Sequence, residues 1–128
     1  MNVTRVETAF ADARGSIVDV MQDGDFQHAT LIDSVAGAVR GNHYHRETWQ
    51  WLYVVSGAIR YVVGLPDGTQ QEGVLHRGDL LLTEPNESHA LETLEETLFL
   101  VLTRGPRGGD RYESDTFRLD VPLIPPRA

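Results

Sequence analysis

Short apolar runs separated by turn residues are the feature that most constrains this chain. Nine segments of five to seven residues are rich in Val, Ile, Leu, Thr and aromatic side chains, the types favoured on a pleated surface. Turn signals such as Pro66-Asp67-Gly68 lie between them. The predicted strands cover residues 16–21, 29–35, 41–45, 49–55, 58–64, 70–75, 79–83, 88–92 and 97–103. A strand and its turn recur about every 8–12 residues, which is typical of an antiparallel sandwich or a small barrel.

The length and the remaining segments indicate one all-β domain. A chain of 128 residues has room for a single core. We predict one domain over 1–128, with an N-terminal strand region at 1–35 and a Pro-rich tail at 120–128. Residues 92–97 are too few for a stable helix between two strand signals, so they are interpreted as a turn. The tail cannot be a central strand because proline donates no hydrogen bond to a sheet. We expect it to lie over a surface or a neighbouring subunit.

Composition excludes several classes of function. The net charge of −8 opposes nucleic-acid binding, which needs clustered cations, and the absence of cysteine excludes disulfides and thiolate metal sites. No apolar run approaches the roughly 20 residues of a membrane-spanning helix, and the first residues lack a secretory pattern. The chain is therefore expected to act in the cytoplasm, with no nucleic-acid or membrane partner. Sheet edges and apolar termini also favour a homodimer.

The alternation of side chains assigns faces to two central strands. In 49–55, Gln50 shares its face with two aliphatic residues, whereas Trp51 and Tyr53 point to the other side. In 58–64, Tyr61 and its apolar partners lie opposite Arg60. Because the strand neighbours of Arg60 are apolar, its side chain must reach out to solvent or enter a wet cavity.

Three histidines form the candidate site. His43 and His45 are two residues apart, so on a strand their imidazoles project from the same face. His89 begins a later strand, and Gln50 follows His45 by five residues. A histidine pair with a distant third is the pattern of a metal site that leaves positions open for water or substrate.

The spacing of these residues resembles the two motifs of the cupin superfamily. In the first motif, a His-x-His pair is followed by a glutamate and then a glycine, and here those positions hold His43, His45, Gln50 and Gly57. The second motif matches in register at Gly78, Glu84, Asn86, His89 and Thr93, with its Pro, Gly and Asn replaced by Glu84, Asn86 and Thr93. Asn can stand in for Gly where φ must be positive. The resemblance implies a single cupin barrel, also described as a double-stranded β-helix or jelly roll.

Three shorter stretches narrow the resemblance to cupins that act on nucleotide-linked sugars. The run 12–16 (DARGS) resembles the opening of dTDP-4-dehydrorhamnose 3,5-epimerases. The runs 40–45 (RGNHYH) and 115–119 (DTFRL) are similar to stretches of capsular polysaccharide biosynthesis cupins that use UDP-sugars. The histidine pair followed by Gln50 is also found in dTDP-sugar 3,4-ketoisomerases, which work without metal. The resemblance implies an epimerase or ketoisomerase of a keto-deoxysugar.

The implied chemistry begins with removal of a proton beside a carbonyl, which needs a base that titrates near neutral pH. The epimerase resemblance implies that His43 is this base and that His45 is a second acid or base. Tyr53 and Tyr61 are candidate acids, although no residue matches the tyrosine that protonates the product in rhamnose-type epimerases. Candidate substrate-binding residues are Arg40, for the diphosphate, and also Arg60, Gln50 and Trp51.

A metal-dependent alternative uses the same residues differently. His43, His45 and His89 would supply imidazoles and Gln50 a weak oxygen ligand, with Glu47 as a substitute carboxylate if its turn folds inward. Three histidines without a carboxylate favour zinc or nickel over iron, and a site without metal stays open. This alternative includes a dioxygenase or a lyase on a small acid, and a third is a non-catalytic cupin that binds a small molecule.

Overall fold

The structure is a computed structural model that describes residues 1–106 and 113–126. This part of the chain consists of strands and turns and contains no helix. One five-stranded antiparallel sheet, sheet A, has the order β1-β9-β6-β11-β4. Strands β2 and β3 form the two-stranded sheet B, and a second five-stranded sheet, sheet C, has the order β12-β5-β10-β7-β8. The strands are β1 Asn2–Arg5, β2 Thr8–Asp12, β3 Gly15–Val18, β4 His28–Ser34, β5 Val39–Tyr44, β6 Trp49–Ser56, β7 Ala58–Gly64, β8 Gln70–His76, β9 Asp79–Thr83, β10 Ser88–Thr93, β11 Thr97–Arg104 and β12 Phe117–Arg118. The fold is an all-β jelly roll, as predicted.

Strands β4 to β11 confirm eight of the predicted segments to within two residues at each end. The segment 16–21 is only half right, because β3 ends at Val18, where its pairing with the unpredicted β2 stops. Strands β1 and β12 were also absent from the nine predicted segments, although β1 lies within the predicted N-terminal strand region. The turn between β10 and β11 is confirmed, and Asn86 has a φ of 67°, as expected for a residue that replaces glycine.

The core lies between the two five-stranded sheets. Side chains from both inner faces form one buried cluster, which is made of Leu52, Val54, Ile59, Tyr61, Val63, Leu75, Leu81, Leu91, Phe99 and Val101. The predicted alternation of β6 is confirmed, since Gln50 and its partners are buried while Trp51 and Tyr53 are only half buried. The inward-facing side chains near the end of β5 and near the starts of β6 and β10 are polar, and they form a polar site beside this core.

A bulge interrupts the pairing of β5 with β10. His89 is opposite His43, but the next residue, Ala90, is opposite Gly41, so Asn42 is the additional residue. Gly41 and Asn42 both have positive φ angles, 88° and 57°. A Cβ at Gly41 would lie 2.8 Å from the backbone oxygen of His89, so glycine allows the two strands to approach here.

Two peripheral segments complete the described fold. The β2–β3 hairpin is exposed along all of β2 and up to Ile17 of β3. After β12, the C-terminal segment runs over the outer face of sheet C, where Ile124 is buried against Val62 and Ala90. The tail therefore covers the chain's own sheet, and its last two predicted residues, 127–128, lie outside the described part. No helix that could span a membrane occurs in the described residues.

Candidate active site

The three predicted histidines come together between the sheets. His43 and His89 are cross-strand partners on β5 and β10, and His45 follows the end of β5. The ring centroids are 4.8 Å apart for His43 and His89, 4.9 Å for His43 and His45, and 5.2 Å for His45 and His89. All three side chains are buried, and one ring nitrogen from each lies within 4.8 Å of the others. The histidines can therefore act on one ion or one small ligand.

Backbone carbonyls orient two of these rings. Nδ1 of His45 is 2.8 Å from the carbonyl oxygen of Asp115, and Nδ1 of His89 is 3.3 Å from that of Glu87. A carbonyl oxygen only accepts hydrogen bonds, so these contacts place the proton on Nδ1. In the neutral ring, Nε2 then carries the lone pair that a proton, a metal ion or a substrate hydroxyl can use.

A small cavity, partly open to solvent, adjoins the cluster. Its sheet C wall holds Arg40, Gly41, His43 and His89 with one leucine, and its sheet A wall holds Gln50 among four apolar side chains. Arg40 is the one cation among the described lining residues, which include no carboxylate. The cavity therefore favours an anionic ligand or a developing negative charge.

The β5 bulge explains why Arg40 and His43 line the same cavity. Residues three apart on a regular strand point to opposite faces. With Asn42 inserted, Arg40 is opposite Leu91 and His43 is opposite His89, and both of these partners face inwards. The guanidinium is held at the cavity edge by a hydrogen bond from its Nε to Oγ of Ser34, at 2.7 Å.

Other predicted site residues lie elsewhere. Trp51 and Tyr53 project from the face of β6 opposite to Gln50. Tyr61 is buried in the core, where its hydroxyl lies beside Gly73 of β8. Arg60 is on the outer face of sheet C, at 3.5 Å from the carboxylate of Glu72 and 3.7 Å from that of Glu92. The structure does not bring these four residues together with the histidines.

The loop after His45 points its carboxylate outwards. Glu47 is exposed, and the cluster of potential ligands in the described residues consists of the three histidines. The backbone of this loop is instead held by Asp115, a residue whose role the sequence did not reveal. Its position in the run 115–119 was the available signal, but a run of letters does not show which carboxylate is buried.

A comparison with known protein families identifies the family of this chain. The family described as cupin domain matches residues 31–103, more than half of the chain. The chain belongs to the cupin family. The matched range contains all three histidines, Arg40 and Gln50. No curated protein matches the sequence.

Several solved structures share the fold of this cupin. A sugar 3,4-ketoisomerase from Thermoanaerobacterium thermosaccharolyticum, in complex with TDP, has a TM-score of 0.77 and 20% identity over 93% of this chain and 88% of that chain. The TDP-fucose-3,4-ketoisomerase from Campylobacter jejuni has a TM-score of 0.74 and 17% identity over 91% and 89%. The dTDP-4-dehydrorhamnose 3,5-epimerase from Sulfolobus tokodaii has a TM-score of 0.71 and 20% identity over 84% and 70%.

Proposed function

We propose that this cupin is an enzyme that moves protons on a nucleotide-linked keto-deoxysugar, using His43 as the base. The observation that carries the proposal is the polarised cavity, in which buried imidazoles adjoin a single arginine. The fold of the similar solved structures supports it, since a mutant of the ketoisomerase from T. thermosaccharolyticum is known in complex with TDP-4-keto-6-deoxyglucose.

The chemistry balances without a redox partner. A histidine removes the proton from the carbon beside the carbonyl, and the electron pair of the broken C–H bond moves to the oxygen as an enolate. Arg40 and a protonated histidine stabilise this charge through their positive charges. Delivery of a proton to the opposite face of the same carbon inverts that carbon, whereas protonation of the former carbonyl carbon, with proton transfer between the two oxygens, shifts the carbonyl. Arg40 also fits the diphosphate of the nucleotide.

The arrangement of the cavity walls favours the carbonyl shift. Both histidines that line the cavity belong to sheet C, and the opposite wall is apolar apart from Gln50. Inversion at one carbon needs proton donors and acceptors on both faces of the sugar, whereas a shift between neighbouring carbons can use one face. Neither Tyr53 nor Tyr61 lines the cavity to supply a second acid. A ketoisomerase is therefore proposed ahead of an epimerase.

Deuterium incorporation tests this function. The protein is incubated in D₂O with dTDP- and UDP-4-keto-6-deoxysugars, and the products are followed by ¹H NMR. We expect exchange beside the carbonyl and a 3-keto product. His43→Ala should abolish exchange while its circular dichroism spectrum matches that of the wild type. Retained exchange in His43→Ala would reject the assigned base, and absence of exchange with every sugar would reject the function.

The histidine cluster also favours a second candidate, a metal-dependent cupin of another class such as a dioxygenase or a lyase. The donors fit a divalent ion, because His45 and His89 each direct Nδ1 to a backbone carbonyl, as metal-binding histidines commonly do. His43, His45 and His89 would hold the ion, with Gln50 as a weak fourth ligand, and zinc or nickel suits this set better than iron. A bound ion would polarise a carbonyl of the substrate.

Metal analysis separates the candidates. Stoichiometric iron in the purified protein would favour oxygen chemistry, whereas full exchange activity towards a keto-sugar after removal of any metal by chelation would favour sugar chemistry. His89→Ala should lower bound metal if the ion is functional, and should change exchange little in a metal-free isomerase.

A homodimer belongs to the same proposal. An isolated two-stranded hairpin is marginally stable in water, yet β2–β3 exposes Phe10 by 52% and Ile17 by 59%. We propose that a second copy of the chain covers this hairpin with the outer face of sheet A, where Leu31 is 66% exposed. Sedimentation should show a dimer that the double variant Phe10→Ser, Ile17→Ser dissociates, and a monomeric wild type would reject the proposed dimer.

A cytoplasmic location is part of the proposal, to be tested by cell fractionation.

A further inference from the structure

A buried carboxylate holds the loop that follows His45. Asp115 is 3% exposed and accepts hydrogen bonds from the backbone N–H groups of Arg46, Glu47 and Thr48, at 3.0, 2.9 and 2.9 Å. The hydroxyl of Thr48 donates a fourth, at 2.8 Å. Burial raises the pKa of the Asp115 carboxyl, but the hydrogen bonds from Glu47, Arg46 and Thr48 outweigh it and bring the pKa below its usual value. The carboxylate is thus the fixed anion around which this loop folds.

The same residue orients a histidine of the cluster. The backbone carbonyl of Asp115 accepts the hydrogen bond from Nδ1 of His45, and the carbonyl of His45 in turn accepts one from the N–H of Asn86, at 2.7 Å. His45 lies beyond the end of β5, so sheet pairing alone does not hold it. Its ring is therefore fixed by a segment about 70 residues away in the chain.

The contact with β5 continues along the C-terminal segment. Phe117 is paired with Tyr44 and Arg118 with His43, and the N–H of Leu119 donates to the carbonyl of Asn42 at 2.9 Å. The segment thus runs beside the whole of residues 42–45. Neither Asp115 nor Asn42 lines the cavity, so both can act on the site only through the residues that they hold.

Asn42 binds the end of this segment with its side chain. Its Nδ2 donates to the carbonyl of Ile124 at 2.8 Å, and its Oδ1 accepts from the N–H groups of Leu123 and Ile124 at 2.9 and 3.2 Å. Asn42 is the inserted residue of the bulge that turns Arg40 towards the cavity. An amide side chain that satisfies three backbone groups at once ties the bulge to the tail.

We propose that the C-terminal segment 113–126 positions the histidine site. Asp115 fixes which ring nitrogen of His45 carries the proton, and the contact between Asn42 and the tail holds Arg40 and His43 on one face of β5. This inference rests on the proposed function in assuming that these side chains act there, and it concerns positioning residues that do not touch the substrate.

The Asp115 half is tested with matched charge changes. Asp115→Asn introduces a donor where three N–H groups point, whereas Asp120→Asn changes the same charge at an exposed position of the same segment. Long-range ¹⁵N NMR of the imidazoles reports the protonated nitrogen, and titration with Ni²⁺ reports how well the cluster binds. We expect Asp115→Asn to convert His45 from the Nδ1–H form to a mixture and to weaken Ni²⁺ binding by roughly ten- to a hundred-fold, while Asp120→Asn matches the wild type.

Unchanged His45 signals in a folded Asp115→Asn variant would overturn this half. If that variant does not fold, Thr48→Val removes one of the four hydrogen bonds with little change of shape and should shift the same signals in the same direction. A shift that occurs in a protein with no exchange activity towards any sugar would reject the proposed function and leave the positioning role standing.

The Asn42 half is tested with glycine and alanine. Asn42→Gly keeps the left-handed backbone and removes the side-chain amide, whereas Asn42→Ala removes the amide and also disfavours the left-handed backbone. The Arg40 Nε–H resonance and the Kd for dTDP are the readouts. We expect Asn42→Gly to move the resonance and to weaken dTDP binding several-fold, with KM raised more than kcat is lowered. A resonance and a Kd that both match the wild type would show that the tail does not hold the bulge.

Discussion

The bulge in β5 makes a quantitative prediction about Gly41. Gly41→Ala places a Cβ 2.8 Å from the carbonyl oxygen of His89 and 3.3 Å from Cα of Ala90, at a φ of 88°. The backbone conformation costs about 1–2 kcal/mol for a residue with a side chain. The collision is with backbone of β10, so the strands must separate, which typically costs a further 1–3 kcal/mol or so.

Gly68 offers a matched control for the collision. It has a φ of 91°, but a Cβ there would meet nothing within 4 Å. Gly68→Ala therefore carries the backbone term alone, about 1–2 kcal/mol. We expect Gly41→Ala to lower the free energy of unfolding by roughly 1–3 kcal/mol more than Gly68→Ala does, which corresponds to about 4 °C in Tm per kcal/mol for a chain of this size.

Urea denaturation followed by circular dichroism measures both variants. The separation of the strands also occurs beside the His43 and His89 pair, so Gly41→Ala should lose solvent exchange while Gly68→Ala keeps it. Equal destabilisation of the two variants would refute the reasoning, because it would show that β5 and β10 do not approach closely at the bulge.

Three further predictions follow from the same contacts. Arg40→Gln should raise KM for the nucleotide sugar about ten- to a hundred-fold, whereas Arg60→Gln, on the outer face of sheet C, should change KM little. Steady-state kinetics measure both variants, and the reverse result would place the anion site on the outer face. Asp115 has a lowered pKa when folded, so its stabilisation is present above the unfolded value near 3.8 and is lost as pH falls through the folded value. The difference in urea midpoint between wild type and Asp115→Asn should therefore be large at pH 7 and shrink below about pH 4. Removal of metal by chelation should lower the thermal stability of the wild type but not of His89→Ala, if an ion binds the cluster.

The strands that the sequence predicted well are those with a buried face. In β6, the alternation of Gln50 with Trp51 and Tyr53 marks two faces because one is packed and the other is not. Strand β1 was missed because it is short and fully exposed, and β12 because two residues carry no periodicity. The hairpin strand β2 was missed for the same reason as β1, since no face of it is buried within the chain.

The site was predictable in its histidines and less so in its other residues. A His-x-His pair on a strand shares a face whatever the surrounding fold, and the match to His89 depends only on motif spacing. The positions of Tyr61 and Arg60 depend instead on which face of β7 is the inner one, and both faces carry apolar residues. The sequence pattern separates the two faces of β7, but only the packing of the sheets shows that Tyr61 enters the core and Arg60 faces outwards.

The position of Arg40 shows how a local irregularity decides which side chains line a cavity. Strict alternation would place Arg40 and His43 on opposite faces, and an arginine outside the cavity could not stabilise an enolate formed within it. One inserted residue moves the residues on one side of it to the other face of the strand. Gly41 and Asn42 are of the two residue types that best tolerate positive φ. The Gly41-Asn42 dipeptide was the signal available in the sequence, because these residue types are disfavoured in a regular strand. Where two adjacent residues of this kind interrupt a strand that carries candidate site residues, the strand should be considered both with and without a bulge before any site residue is assigned to a face.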